Sequence, residues 1–221
     1  MGKNLYSLIL TGEVVDAVDR LAYERGLSRS GLIDQILAEY LSLTIPEKHI
    51  EMIFREITSI TASNNTLQIP AKPSGTMLQV KSVLRYKYNP TIRYSVEISP
   101  QSGDYSGFFR VVSRTQSGAL KYRLNDFFEI WDRVEHLCYQ RSRRLEPERE
   151  ISDGRYARRL CLDQQTAADP QCLGRVIGEY IQLFDKALAH YFTMEDAPEA
   201  GTYETIYQLY ESYLQSAGIY L

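Results

Sequence analysis

Hydrophobic positions in the first sixty residues recur at two periods. KNLYSLILT alternates and predicts a short strand over residues 3–11, ended by Gly12. Along GEVVDAVDRLAYERGL, by contrast, Val14, Val15, Val18, Leu21 and Ala22 fall on one helical stripe, and Gly26 supplies a left-handed stop. Ser28 offers an N-cap hydroxyl to a second helix with Leu32, Ile33, Ile36, Leu37, Tyr40 and Leu41 on its apolar face. Pro46 suits the first position of a third, where Ile50, Ile53, Phe54 and Ile57 are spaced to bury one side and the pattern ends near Thr61.

TASNNTLQIPAKPSGT, polar and carrying two prolines and a glycine, has the composition of a linker over residues 62–76. Beyond it VKSVLRYKY, TIRYSVEI, GFFRVVSR and ALKYRL alternate between turn-forming segments and predict a four-stranded antiparallel meander. A helix capped by Asn125 or Asp126 follows, with Phe127, Phe128, Trp131, Val134 and Cys138 inward, and the pattern from about Ser152 onward is helical. The expected class is α+β, divided into residues 1–45 (strand and two helices), 46–61 (an additional helix), 62–76 (linker), 77–146 (meander plus helix) and 147–221 (helical tail).

Composition is that of a globular chain, 44% hydrophobic and 24% charged. The net charge of −3 is unevenly spread: residues 80–146 carry +5, residues 1–45 carry −2 and residues 147–221 carry −6. No run resembles a secretory leader or a membrane span, so a cytoplasmic protein without membrane contact is expected. Cys138, Cys161 and Cys172 form no CxxC pair, which predicts reduced thiols.

LYSLILTGEVVDAVDRLAYERGLSRSGLIDQILAEYL resembles the ribbon-helix-helix superfamily of Arc and MetJ type in its order of strand, helix, glycine-containing turn and capped helix. The resemblance implies a homodimer whose two-stranded ribbon enters the major groove of double-stranded DNA. It places the DNA-facing ribbon on Lys3, Leu5, Ser7 and Ile9, and a phosphate clamp on Ser28, Arg29 and Ser30. Leu5 and Ile9 depart from the polar side chains that such ribbons present, since they can touch only thymine methyls or protein.

In the meander one phase of the alternation gathers Arg85, Lys87, Arg93, Phe108, Arg110, Lys121 and Arg123, cations around an aromatic ring, as a surface for single-stranded DNA or RNA requires. IRYSVEI, SGFFRVV and ALKYRLNDFFEIWDRVEHL resemble the β-β-β-β-α unit of PUR-repeat proteins and the Whirly-type single-strand binders. His49, His136 and His190 lack partners at metal-ligand spacing, and no phosphate-binding glycine loop or nucleophile elbow occurs. Neither cofactor, metal nor catalytic residue is therefore expected. The expected function is a non-enzymatic DNA-binding homodimer that regulates transcription, its C-terminal part serving single-stranded nucleic acid, an effector or assembly. The alternative is a protein-interaction and dimerisation module whose ribbon does not touch DNA.

Overall fold

The computed structural model describes residues 5–40, 46–101, 104–162, 169–194, 199–218 and 221. Among these the chain is a mixed α+β protein of six helices and one six-stranded antiparallel sheet. It divides into two compact units between His49 and Ile50. The division falls inside a helix, upstream of the linker that composition suggests. No described helix is long and apolar enough to cross a membrane.

The first unit holds α1 (Gly12–Arg25) and α2 (Arg29–Tyr40). Gly26 closes α1 in the left-handed region (φ 64°), where a side chain is costly, and Leu27 N–H returns to the Ala22 carbonyl. Residues 5–10 are without hydrogen-bonded strand structure, where a strand is expected. A lone strand has no partner for its backbone, and none lies within the described chain.

α3 (Pro46–Ala62) buries Ile50, Ile53, Phe54 and Ile57 in the core of the second unit. The strands follow as β1 (Leu67–Gln68), β2 (Met77–Val83), β3 (Thr91–Gln101) and β4 (Asp104–Ser113), then β5 (Arg149–Ser152) and β6 (Arg155–Leu160) after α4 (Gly118–Ser142). Their order across the sheet is β1-β2-β3-β4-β6-β5. α5 (Pro170–Thr193) and α6 (Glu199–Ala217) complete the unit.

Three expectations are corrected. ALKYRL is the start of α4, not a fourth strand: Leu120 and Leu124 satisfy either period, but Tyr122 between them is 73% exposed, and Ser117 caps the helix by accepting from Leu120 N–H (3.3 Å). The fourth meander position is filled by β6, from a hairpin inside the segment read as helical tail. Its two-residue loop, Asp153-Gly154, has both φ values positive (47° and 74°), the geometry that joins twisted antiparallel strands. Asn125 accepts from Gly154 N–H (2.8 Å) and Lys121 pairs with Asp153 (2.8 Å), tying the hairpin to α4. The predicted linker contains β1, which pairs with β2.

The inward sheet face, including Leu78, Val80, Tyr94, Val96, Phe109, Val111 and Tyr156, packs on the helices. Phe184 of α5 is the centre, with Trp131 of α4 at 4.6 Å and Phe109 and Tyr156 of the sheet at 5.5 Å between centroids. Such aromatic edges and faces add specificity to the burial they provide. α5 comes close to α3 at two glycines: a Cβ on Gly174 would lie 2.6 Å from the Ile53 carbonyl oxygen, and one on Gly178 2.9 Å from Ile60.

Candidate nucleic-acid interface

In the first unit residues 5–10 are all exposed. Leu5 and Ile9 are fully exposed (99% and 103%), and of the opposite phase Tyr6 is nearly as exposed at 86% while Leu8 and Leu10 are lower at 54% and 40%. Ser7 is exposed as well, and Lys3 lies outside the described residues. Among the described hydrophobic residues of this unit only Ala22 and Leu32 are buried; Val14, Ile36, Leu37 and Tyr40 of the two helices, and Leu27 between them, remain exposed. A unit of this size with so little of its apolar surface covered lacks a core of its own.

At the start of α2, Ser28 Oγ accepts from Gly31 N–H (3.1 Å), as an N-cap should, and lies 3.3 Å from Ser30 Oγ. The start of α2 presents the positive end of the helix dipole to any anion, although the Gly31 amide is already taken by Ser28. Arg29, the third member of the expected clamp, is ion-paired with Asp19 of α1. A phosphate would compete with that carboxylate for the guanidinium.

In the second unit the outward sheet positions form cross-strand rows fixed by the register. Lys81, Arg93, Val112 and Arg155 make one row across β2, β3, β4 and β6. Gln79, Ser95, Arg110, Ala157 and Glu150 make the next. Met77, Glu97, Phe108 and Arg159 make a third. Arg110 is engaged twice, with Glu97 (2.5 Å) and with its guanidinium 4.9 Å from the Phe108 ring centre. The first row holds three cations and no carboxylate.

Of the seven positions expected on this face, Arg93, Phe108 and Arg110 share it. Arg85 and Lys87 are exposed in the turn between β2 and β3, where Tyr88 and Asn89 both have positive φ. Lys121 and Arg123 lie on α4, because ALKYRL is helical. Arg123 is structural, its guanidinium within 4.9–5.6 Å of the Tyr86, Tyr191 and Phe192 ring centres. Three cations of the face escaped sequence reasoning. Lys81 shares the phase of Arg85 and was legible; Arg155 and Arg159 were hidden because their segment was read as helix, although Asp153-Gly154 is a hairpin signal.

Between the two outward arginines of β6, Arg158 points inward and is completely buried. Its Nη1 meets Glu135 Oε1 at 2.5 Å and the Tyr180 hydroxyl at 3.2 Å; its Nη2 donates to the Tyr139 hydroxyl (3.1 Å) and to the Leu221 backbone oxygen. Glu135 also accepts from Tyr180 (2.8 Å), Tyr156 (2.9 Å) and Tyr210 (3.3 Å). Burial works against the Arg158 charge, but Glu135 outweighs it and the guanidinium is held protonated. Burial, opposed by Arg158 and aided by Glu135, pushes the Tyr139 hydroxyl up to about 12. With this many internal partners the cluster is a structural hub with little capacity left for a ligand.

Elsewhere, an open groove of about 480 Å³ lies beside α5, where Asp185 accepts from the Tyr94 hydroxyl (2.7 Å) and from Thr66 (3.1 Å). His136 bonds Glu146 at 2.9 Å, and among the described residues no group of three His, Cys, Asp or Glu side chains is placed to hold a metal ion. No protein-family model, no curated protein and no solved structure matches this chain.

Proposed function

We propose that the chain is a homodimeric, non-enzymatic DNA-binding protein that regulates transcription in the cytoplasm, its first unit working in the ribbon-helix-helix manner. The observation that carries this reading is the unpaired apolar segment Leu5–Leu10 ahead of two helices whose apolar faces are uncovered. A second copy meets both needs. Two such segments pair antiparallel and satisfy each other's backbone groups, while Leu8 and Leu10 turn toward the pooled helices. Leu5, Ser7 and Ile9 then face outward, and the amides of α2 with Ser28, Arg29 and Ser30 take a backbone phosphate on each side.

The Arg29–Asp19 pair favours a second reading, in which the module dimerises without DNA. Fluorescence anisotropy against a random duplex pool separates the two, with sedimentation equilibrium reporting the dimer. If the clamp operates, Arg29→Ala removes two phosphate contacts per dimer and lowers duplex affinity about 60-fold at 0.1 M salt, since each contact contributes a slope of about −0.9 in log K against log salt. A dimer that ignores duplex at low salt supports the second reading, and a monomer overturns both.

A further inference from the structure

We propose that the open sheet face of the second unit binds a single-stranded nucleic acid, its phosphates along the row Lys81, Arg93 and Arg155, and a base on the Phe108–Arg110 pair. The inference rests on the reading of the chain as nucleic-acid-binding and gives the second unit its ligand class.

The register places Lys81 directly opposite Arg93. Cβ atoms so paired lie about 5 Å apart, and like charges in that position destabilise a sheet. Arg155 extends the row on the far side of Val112, so the cations span about 14 Å across three strand spacings. None of the three is in an ion pair among the described residues, and Arg93 Nε is buried without a hydrogen-bond partner there. A row of cations that repel one another and leave a donor unused is completed by an anion, and a polyanion neutralises the whole row at once.

In the three rows named above the acidic side chains are Glu97 and Glu150, and neither stands in the row of Lys81, Arg93 and Arg155. Glu97 pairs with Arg110, whose guanidinium lies 4.9 Å from the centre of the Phe108 ring plane, and this double engagement withholds it from phosphate. Arg159, exposed and directly across from Phe108, supplies the charge beside this plane. Aromatic rings and guanidinium planes stack on unpaired bases, whose faces a duplex keeps covered. The ring thus favours a single strand over a duplex or a lipid surface, for which charge alone would suffice.

The test uses the full chain, fluorescein-labelled oligothymidine of about 20 nucleotides, longer than the ~4–16 that one such site covers, a random duplex pool and phosphatidylserine vesicles. Arg93→Gln with Arg155→Gln lowers oligothymidine affinity about 25-fold at 0.1 M salt and reduces the salt slope by about 1.4, from about −0.7 per lost contact on a single strand. Phe108→Ala lowers affinity roughly 5- to 150-fold with the slope unchanged. Thermal melting checks folding, and the double variant melts no lower than the parent because it removes a like-charge pair. Oligothymidine binding lost in these variants with duplex binding retained supports the proposal. Equal loss on duplex or vesicles overturns it in favour of a general anionic surface. A parent that binds duplex but no oligothymidine at low salt overturns the proposal while the regulator reading stands; one that binds neither overturns both.

Discussion

Replacing Arg158 by Met tests the buried hub of the second unit. The change keeps most of the side-chain volume and removes the guanidinium, leaving Glu135 in the core with three tyrosine hydroxyls and Arg149 Nη1 at 3.7 Å. Breaking a buried pair from one side costs about 3–5 kcal/mol, because the remaining charge has lost its closest cation and cannot regain water. For a unit of this size that lowers Tm by about 6–20 °C. Glu135→Leu combined with Arg158→Met removes both charges and recovers only part of the loss, because the buried Tyr156, Tyr180 and Tyr210 hydroxyls lose Glu135 as acceptor. Differential scanning calorimetry of the two singles and the double, read as a double-mutant cycle, gives the coupling. A single-variant cost under about 1 kcal/mol would refute the reasoning, since a surface-grade pair contributes no more than that.

Two further outcomes follow from the packing and the buried hydroxyls. Gly174→Ala forces a methyl to within 2.6 Å of the Ile53 carbonyl, so the α3–α5 contact must separate at a cost of about 1–3 kcal/mol; an unchanged urea midpoint would show that the helices have slack. Burial first, and then nearby Glu135 or Asp185, raises the hydroxyl pKa of Tyr94, Tyr156, Tyr180 and Tyr210. A raised folded-state pKa means stability that is complete below the unfolded value of about 10 and is lost as pH rises beyond it. Alkaline titration followed by circular dichroism and tyrosinate absorbance should therefore show these four ionising together with unfolding; ionisation ahead of unfolding would place them in contact with water.

The helical stripes were legible because α1, α2, α3 and α5 repeat their apolar positions over several turns, so one misleading residue does not change the period. β3 and β4 were legible for the equivalent reason at period two. ALKYRL was not, because six residues with Leu120 and Leu124 four apart fit both periods, and only the exposure of Tyr122 and the Ser117 cap separate them. REISDGRYARRL misled in the opposite direction. Most of it falls in the segment whose pattern reads as helical from about Ser152, and tertiary pairing with β4 makes it strand. As a result the basic face was assigned two residues that α4 carries and was denied two that β6 carries. Arg158 was beyond reach altogether: nothing local distinguishes it from Arg159, and only the partner waiting on α4 makes its burial tolerable.

That same alternation links the hub to the proposed interface. Strand geometry sends Arg155 and Arg159 outward whenever Tyr156, Arg158 and Leu160 face the core. β6 is followed in the sheet only by the four-residue strand β5, so little backbone pairing holds it from that side. Side-chain anchors make up the difference: Arg158 to Glu135, Arg149 to Asp132 (2.5 Å) and Lys121 to Asp153 all tie the hairpin to α4. A one-residue slip of β6 against β4 would bring Arg159 into the core and turn Arg158 outward, exchanging every side chain between the faces. Glu135 opposes this slip, because Arg158 is the β6 cation that reaches it in the native register. The buried pair thereby specifies which arginines reach the open face, a role in register that its net contribution to stability would not reveal.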